Sequence, residues 1–393
     1  MTLESPTSKA RLRWIPALAV PAAVVAAVIA VPQMANADVK LPSKTPAAIV
    51  ALAESSQGVS FSGTVSETAN LGLPDISSSA LGGGSDSDSV SSALSQLTGT
   101  HTAKVYVSGT TASRIQTLDN LAERDVIRNG DSIWTYDSKS NSAVHITLPA
   151  KGVHATPQTD TGQASMTPQS VTAEVLKNVK KYSTVSTSEN VKVAGRTAYG
   201  LTVTPKTSKT LVKSVTLDID SATGVPLRAT ILAKGQTKPA FEVGFTDISF
   251  SNPSASVFSF TPPKGASVKN VSPAEHSGLA HGVQPGVQTQ SGEAATAQQK
   301  AQAKYKSALA KYDPQVLGSG WTTILSATLP NGAAGLSAGG GQSSQLLNQV
   351  LTRVDGGRVL QTALVSVYIS DSGKVYVGAV SAATLEAEAA SQK

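Results

Sequence analysis

The side chains that could do chemistry are few, and their spacing does not suit it. Gly335-Leu336-Ser337-Ala338-Gly339 has the G-x-S-x-G form of a hydrolase nucleophile elbow. Such an enzyme needs serine, then an acid, then histidine in chain order. The last of the five histidines, His281, precedes Ser337. A Gly/Ala/Ser loop explains the match without catalysis. His101, His145, His154, His276 and His281 lack the close spacing of a metal set. Only the last pair are neighbours, and no third ligand accompanies them. Asp86-Ser87-Asp88 lacks the spacing and the glycine of a calcium loop. Asp218 and Asp220 share a strand face beside the turn Ser221–Gly224, so they read as turn-flanking rather than as a glycosidase pair. The sequence therefore predicts no enzyme, no cofactor and no metal.

Composition narrows the classes further. Of 393 residues, 40% are hydrophobic, 4% aromatic and 15% charged, with no cysteine. That balance is ordinary for a globular chain and excludes wholesale disorder and a multi-span membrane protein. Without cysteine there is no disulfide, no thiolate metal site and no acylated N-terminal Cys. Few aromatics leave a core of Ala, Val, Ile and Leu, and the length suggests two or three domains.

Lys9, Arg11 and Arg13 precede an uncharged run from Trp14 to Val31, followed by Ala35-Asn36-Ala37. A basic start, an apolar middle and a small-x-small end are the three parts of a secretory signal peptide, with cleavage after Ala37. Pro16 and Pro21 count against a regular spanning helix; an uncleaved anchor is the alternative, since the run could nearly cross a bilayer. Either way the remainder is expected outside the cytoplasm, secreted or in the cell envelope. Beyond residue 37 there remain 29 basic and 25 acidic side chains. No nucleic-acid partner is expected from so even a balance.

The elements that position these residues are mostly strands. Thr45 caps and Pro46 opens a short helix over Ile49–Ala53. Val59, Phe61, Gly63 and Val65 alternate with polar residues, as a half-buried strand does. Residues 70–100, rich in Gly, Ser and Asp, read as a mobile insertion. Strands resume with Val105 and Val107, Arg114–Leu118 and Asp125–Arg128. Asn129-Gly130 then marks a tight turn, followed by Ile133–Tyr136 and Val144–Leu148. Thr167 and Pro168 start a helix with Val171, Val175, Leu176, Val179 and Tyr182 at helical spacing. Strands follow at Tyr199–Val203, Val215–Asp220, Val225–Leu232 and Phe241–Phe250. The order predicts an α+β fold: one large, curved antiparallel sheet with a helix against one face.

Residues 269–313 read as a linker, rich in Gly, Ser, Gln, Ala and Pro, ending in a helix over Gln298–Tyr312. Residues 314–393 read as a small C-terminal α+β module or lid. It would hold a strand at Trp321–Leu329, a helix at Ser344–Val354, and a hairpin of Val359–Ile369 and Lys374–Val380 turned at Asp371–Gly373.

Four fragments carry a family resemblance. Asn129–Asp137 (NGDSIWTYD), Leu217–Arg228 (LDIDSATGVPLR), Phe245–Ile248 (FTDI) and Phe258–Gly265 (FSFTPPKG) occur in this order. Together they resemble the LolA/LolB lipoprotein-carrier superfamily, which includes the sensor domain of the MucB/RseB sigma-factor regulators, over roughly residues 45–268. The resemblance implies an incomplete β-barrel over residues 38–268 whose concave apolar face, covered by helices, holds acyl chains. Carriers of this family lock the helical lid with an arginine just before the second or third strand. Here that stretch reads Ser108-Gly109-Thr110-Thr111, and the nearest candidate is Arg114. The missing Cys separates the chain from the lipid-anchored LolB branch.

A curved sheet shows alternate side chains to its concave face. The candidates for an apolar cavity are Phe61, Val65, Val105, Val107, Ile115, Trp134, Tyr136, Leu201, Val203 and Phe245, with Leu176 from the covering helix. The alternative is that they only form a core. Three functions follow: a carrier for acyl chains of lipids or lipoproteins, a regulatory sensor that binds a membrane-bound envelope protein such as an anti-sigma factor, and, ranked last, an envelope hydrolase.

Overall fold

The computed structural model describes residues 40–73, 100–119, 122–148, 166–177, 179–271, 312–329 and 350–392. The expected signal peptide with Ala37, most of the expected 70–100 insertion, the expected linker helix and the segment with Ser337 lie outside the described residues.

Helix α1 spans Pro46–Ser55, and Thr45 accepts a hydrogen bond from the Ala48 N–H at 3.2 Å, as a Thr-Pro start demands. Strands β1 (Phe61–Ala69), β2 (His101–Ser108), β3 (Ala112–Asp119), β4 (Ala122–Asn129), β5 (Ser132–Asp137) and β6 (Ser142–Thr147) follow. Next come helices α2 (Pro168–Lys177) and α3 (Val179–Tyr182), then β7 (Ser183–Val193), β8 (Arg196–Pro205), β9 (Val212–Asp220), β10 (Pro226–Ala233) and β11 (Phe241–Ser249). A 3-10 turn at Ala255–Phe258 precedes β12 (Ser267–Val271).

These twelve strands form one curved sheet in the order β12-β6-β5-β4-β3-β2-β1-β11-β10-β9-β8-β7. Neither edge pairs with the other, so the sheet stays open. Every pairing is antiparallel except β12 with β6. That exception arises because residues 250–266 cross over the sheet before β12 begins.

Helices α1 and α2 cover one face over β7–β11, hereafter the inner face. Lys44, just before α1, sits 5.6 Å over the Tyr199 ring, and the Gln169 amide of α2 donates to the Pro226 carbonyl at 2.8 Å. Beneath the helices Leu201, Val203, Leu217, Ala229, Phe241 and Val243 are fully buried. The side chain of Asp220 and the turn after it fix α1 in place. Gly224, at φ +76°, lies so close to the Leu52 carbonyl of α1 that a Cβ would collide with it.

A second antiparallel sheet has the order β13-β14-β18-β17-β16-β15, from β13 (Gln315–Leu317), β14 (Ile324–Thr328), β15 (Thr352–Val354), β16 (Gly357–Gln361), β17 (Ser366–Ser370) and β18 (Lys374–Gly378). One of its faces, with Ile369, Val375 and Val377, joins the apolar core of the large sheet. The other, with Val359, Tyr368 and Tyr376, packs Leu385 and Ala389 of helix α4 (Ala382–Ser391). Leu211 N–H and Thr210 Oγ1 both donate to the Ala379 carbonyl, at 2.8 and 2.7 Å.

Three expectations for this part are corrected. Thr352–Val354 is strand, not the end of a helix, because Asp355-Gly356 turns it into a hairpin with β16. The run Val359–Ile369 is two strands, broken where Thr362 Oγ1 takes the N–H groups of Leu364 and Val365. Trp321 belongs to a 3-10 turn at Gly320–Thr322, before β14. Helix α4 is an addition, signalled by Ser381, whose hydroxyl accepts from the Thr384 N–H.

Candidate functional site

Directly opposed residues of an antiparallel pair share a face. One row therefore runs Gly63, Val105, Ile115, Val126, Thr135, Val144 across β1–β6. It lies on the inner face, with Phe61, Val65 and Val107, and it continues through Phe245 opposite Val65. Leu201 and Val203 lie on the same face further along, opposite Leu217 and Val215. Leu176 of α2 packs half-buried against this core.

Trp134 and Tyr136 belong to the other face. Trp134 opposes Ile127, which opposes Arg114, which opposes Tyr106, which opposes Ser62. Both aromatics sit under the crossing segment: the Phe260 ring lies 5.4 Å from Trp134 and 5.6 Å from Tyr136, and His145 stacks on Trp134 at 4.2 Å. Ile133 and Thr135 occupy the inner positions of β5 instead. With a period of two, a choice one residue off moves the whole strand to the wrong face.

The inner candidates divide by burial. Phe61, Val65, Val105, Leu201, Val203 and Phe245 are buried in the core. Over β3–β6 the same face is apolar and half-buried at Ile115, Val126, Val144 and Ile146. Sequence reasoning misses Val126, Val144 and Ile146 as site residues, although the alternation Val144–Ile146 is a signal for two of them. Toward one end this face turns polar, with Glu67 opposite His101, and Thr117 opposite Arg124 opposite Asp137. Glu67 is 7% exposed. Burial pushes its carboxyl up to about 7, against the pull of the facing His101 and of a hydrogen bond from the backbone of Met166, just before α2.

Arg114, the lid-related candidate, lies on the face opposite α1 and α2. It points from the outer face, donating to Asp125 through Nε at 2.9 Å and Nη2 at 2.7 Å, and to the Val257 carbonyl at 3.4 Å. It thus clamps the crossing segment to β3 and β4. Burial drives Asp125 up to about 6 although Arg114 pulls it down. Arg114→Ala should cost about 2 kcal/mol at pH 7.5 in urea unfolding. The cost should shrink at pH 5, where Asp125 takes a proton in place of its partner; an equal cost at both values would refute the clamp.

Among the described residues no group of three or more His, Asp or Glu could hold a metal ion, and no helix is long and apolar enough to cross a membrane. Residues 79–270 match the family of predicted periplasmic proteins DUF2092. The match spans just under half of the chain and agrees with a place outside the cytoplasm. No curated protein matches the chain. Among solved structures, the MucA/MucB complex of Pseudomonas aeruginosa is similar at 16% identity and a TM-score of 0.42, over 87% of this chain and 96% of that one. An uncharacterised conserved protein from Thermus thermophilus is similar at 13% identity and a TM-score of 0.33, over 57% of this chain and 98% of that one. A LolA superfamily protein from Nitrosomonas europaea is similar at 11% identity and a TM-score of 0.23, over 56% of this chain and 99% of that one.

Proposed function

We propose that the chain is an extracytoplasmic, non-enzymatic binding protein that holds the acyl chains of lipids or lipoproteins against the inner face of β3–β6. The observation that carries this reading is the contrast along one face. Beneath α1 and α2 the apolar side chains are fully buried, whereas Ile115, Val126, Val144 and Ile146 keep part of their surface open. A part-open apolar patch in a curved sheet, here interrupted at Thr135, is the kind of surface that ligands bury.

Displacement of a fluorescent fatty acid from the purified protein tests it. Ile115→Lys and Val126→Lys should each weaken binding at least tenfold, because a lysine in the patch must stay solvated or lose its charge. Trp134→Phe, on the opposite face, should bind as the wild type does. Equal binding by all three variants, or none by the wild type, would sink the reading.

A sensor role is the second reading. It is favoured by the second sheet, which shares the apolar core of the first and leaves Val316 on its edge strand 71% exposed. In that reading lipid occupancy alters the binding of a membrane-bound envelope protein, and recovery of a single-span membrane protein only in the lipid-free state would distinguish sensor from carrier.

A further inference from the structure

Four acids are buried among the described residues, and three of them lie against an arginine. Asp125 meets Arg114 at 2.7 Å, Asp218 meets Arg228 at 2.6 Å and Asp220 meets Arg196 at 2.8 Å. Glu67 is the fourth, and its surroundings differ. On β1 it lies between the buried inner residues Val65 and Ala69. Strand β11 sets the fully buried Val243 opposite it, and β2 sets His101 opposite it on the other side. Helix α2 brings the backbone N–H of Met166 to it, while Glu174, further along that helix, is exposed. Burial raises the carboxyl to about 7 against the pull of both His101 and that N–H.

The N–H is joined stiffly to the helix. Thr167 Oγ1 accepts from the Ser170 N–H at 3.2 Å, and Ser170 Oγ accepts from the Thr167 N–H at 3.1 Å. These two bonds close the first turn of α2 on itself, so a shift of Met166 carries the helix with it. An ionised carboxylate in so apolar a place is relieved by water. Water reaches Glu67 when the start of α2 lifts. Beneath α2 the inner face is filled: Val171 and Thr172 of the helix are buried, as are Ala229 and Val243 of the sheet. An acyl chain reaches that part of the face only once the helix has lifted.

We propose that Glu67 is a proton-controlled latch: protonated, it keeps α2 seated; ionised, it frees the helix and opens the apolar face beneath to an acyl chain. The latch stands on the burial of Glu67 and its bond to Met166, whereas the access of acyl chains rests on the binding role proposed above. With the helix lifted, Glu67 is solvated and has its ordinary value of 4.5; with the helix seated, it is held near 7. Lifting therefore releases a proton between those values. It becomes more favourable as pH rises, by a limit of about 300-fold.

The chain has no cysteine, so a single introduced thiol reports on the helix. Thr172→Cys suits this, because the Thr172 hydroxyl is buried with no hydrogen-bond partner among the described residues. Val171→Cys serves if that variant folds poorly. Maleimide labelling is compared with that of the same thiol in a Glu67→Gln background, which cannot ionise and which cancels the titration of the thiol itself. The ratio of the two rates should rise at least tenfold from pH 5 to pH 8. Ala389→Cys, buried under α4, should show no such rise. A flat ratio at residue 172 overturns the latch, and so does an equal rise at residue 389, which would mean that the whole protein unfolds. Binding of a pyrene-labelled monoacylglycerol, uncharged at both pH values, reads the access. Its affinity for the wild type relative to Glu67→Gln should be roughly threefold higher, or more, at pH 8 than at pH 5. An unchanged relative affinity beside a rising labelling ratio overturns the control of access. No binding by either protein at either pH sinks the acyl-chain reading, while the labelling ratio still decides the latch.

Discussion

Asp220→Ala should remove about 3 kcal/mol of folding stability, read as a shift of the urea midpoint at constant slope. Asp220 is fully buried, and its carboxylate is the hub of a corner. It accepts from Arg196 at 2.8 and 2.9 Å, from the Thr223 N–H and hydroxyl at 2.8 Å each, and from the Ala222 N–H at 3.2 Å. Burial works against the charge, but the Arg196 guanidinium and the Thr223 donors outweigh it and hold the carboxyl below its ordinary value. Its stabilisation is therefore present above the unfolded carboxylate range and lost as pH falls through the depressed folded value. Breaking a buried ion pair costs most when the remaining charge is trapped. Here Arg196 keeps 35% of its side chain in solvent, so the loss falls at the lower end of that range. The larger part comes from the turn 221–224, which carries Gly224 against α1. Hydrogen exchange of α1 should accordingly speed up in Asp220→Ala and change little in Arg196→Ala, which leaves the turn donors in place. Equal exchange in the two variants would remove the corner from the account.

The same corner shows where the sequence is legible. Features set by one cap or one turn follow directly from the residues: Thr45-Pro46 opens α1, Asn129-Gly130 turns β4 into β5 with Gly130 at φ +60°, and Asp371–Gly373 turns β17 into β18 with Gly373 at φ +88°. Such signals are local, since a missing N–H or a positive φ selects the residue on the spot. The large open sheet is legible too, because its strands alternate and a helix needs a face to bury its stripe.

What escapes depends on partners far along the chain. Trp134 and Tyr136 are apolar at alternate positions, as inner residues would be, but Phe260 returns more than a hundred residues later to cover the outer face. Alternation gives parity; it does not say which parity meets the helices. The family resemblance makes Arg114 the candidate for the lid, yet its parity sets it beside Asp125. Thr352–Val354 follows an apolar stretch at helical spacing, and that spacing gives way to pairing with β16. Glu67 escapes because one acid in a strand looks like a solvated position until its neighbours are known.

Glu67 gives the prediction with the clearest sign. Its folded value near 7 lies above the ordinary 4.5, so between those values the folded state binds the proton that the unfolded state has released. The contribution is fully present below pH 4.5 and is lost as pH rises through 7. The span of the shift corresponds to about 3 kcal/mol. Glu67→Gln keeps an acceptor for the Met166 N–H and cannot ionise. Relative to this variant, the wild type should lose about 3 kcal/mol between pH 4.5 and 8 in urea unfolding. The comparison with the variant cancels the separate slope from Asp125, which titrates on the opposite face. Because the carboxylate lies beneath the entry to α2, ionisation should also loosen that helix: its amide exchange, corrected for the intrinsic pH dependence, should rise above pH 7 in the wild type and stay level in Glu67→Gln. Parallel stability curves for the two proteins would mean that Glu67 ionises as an ordinary surface acid, and the polar end of the inner face would then have no hold on the helix above it.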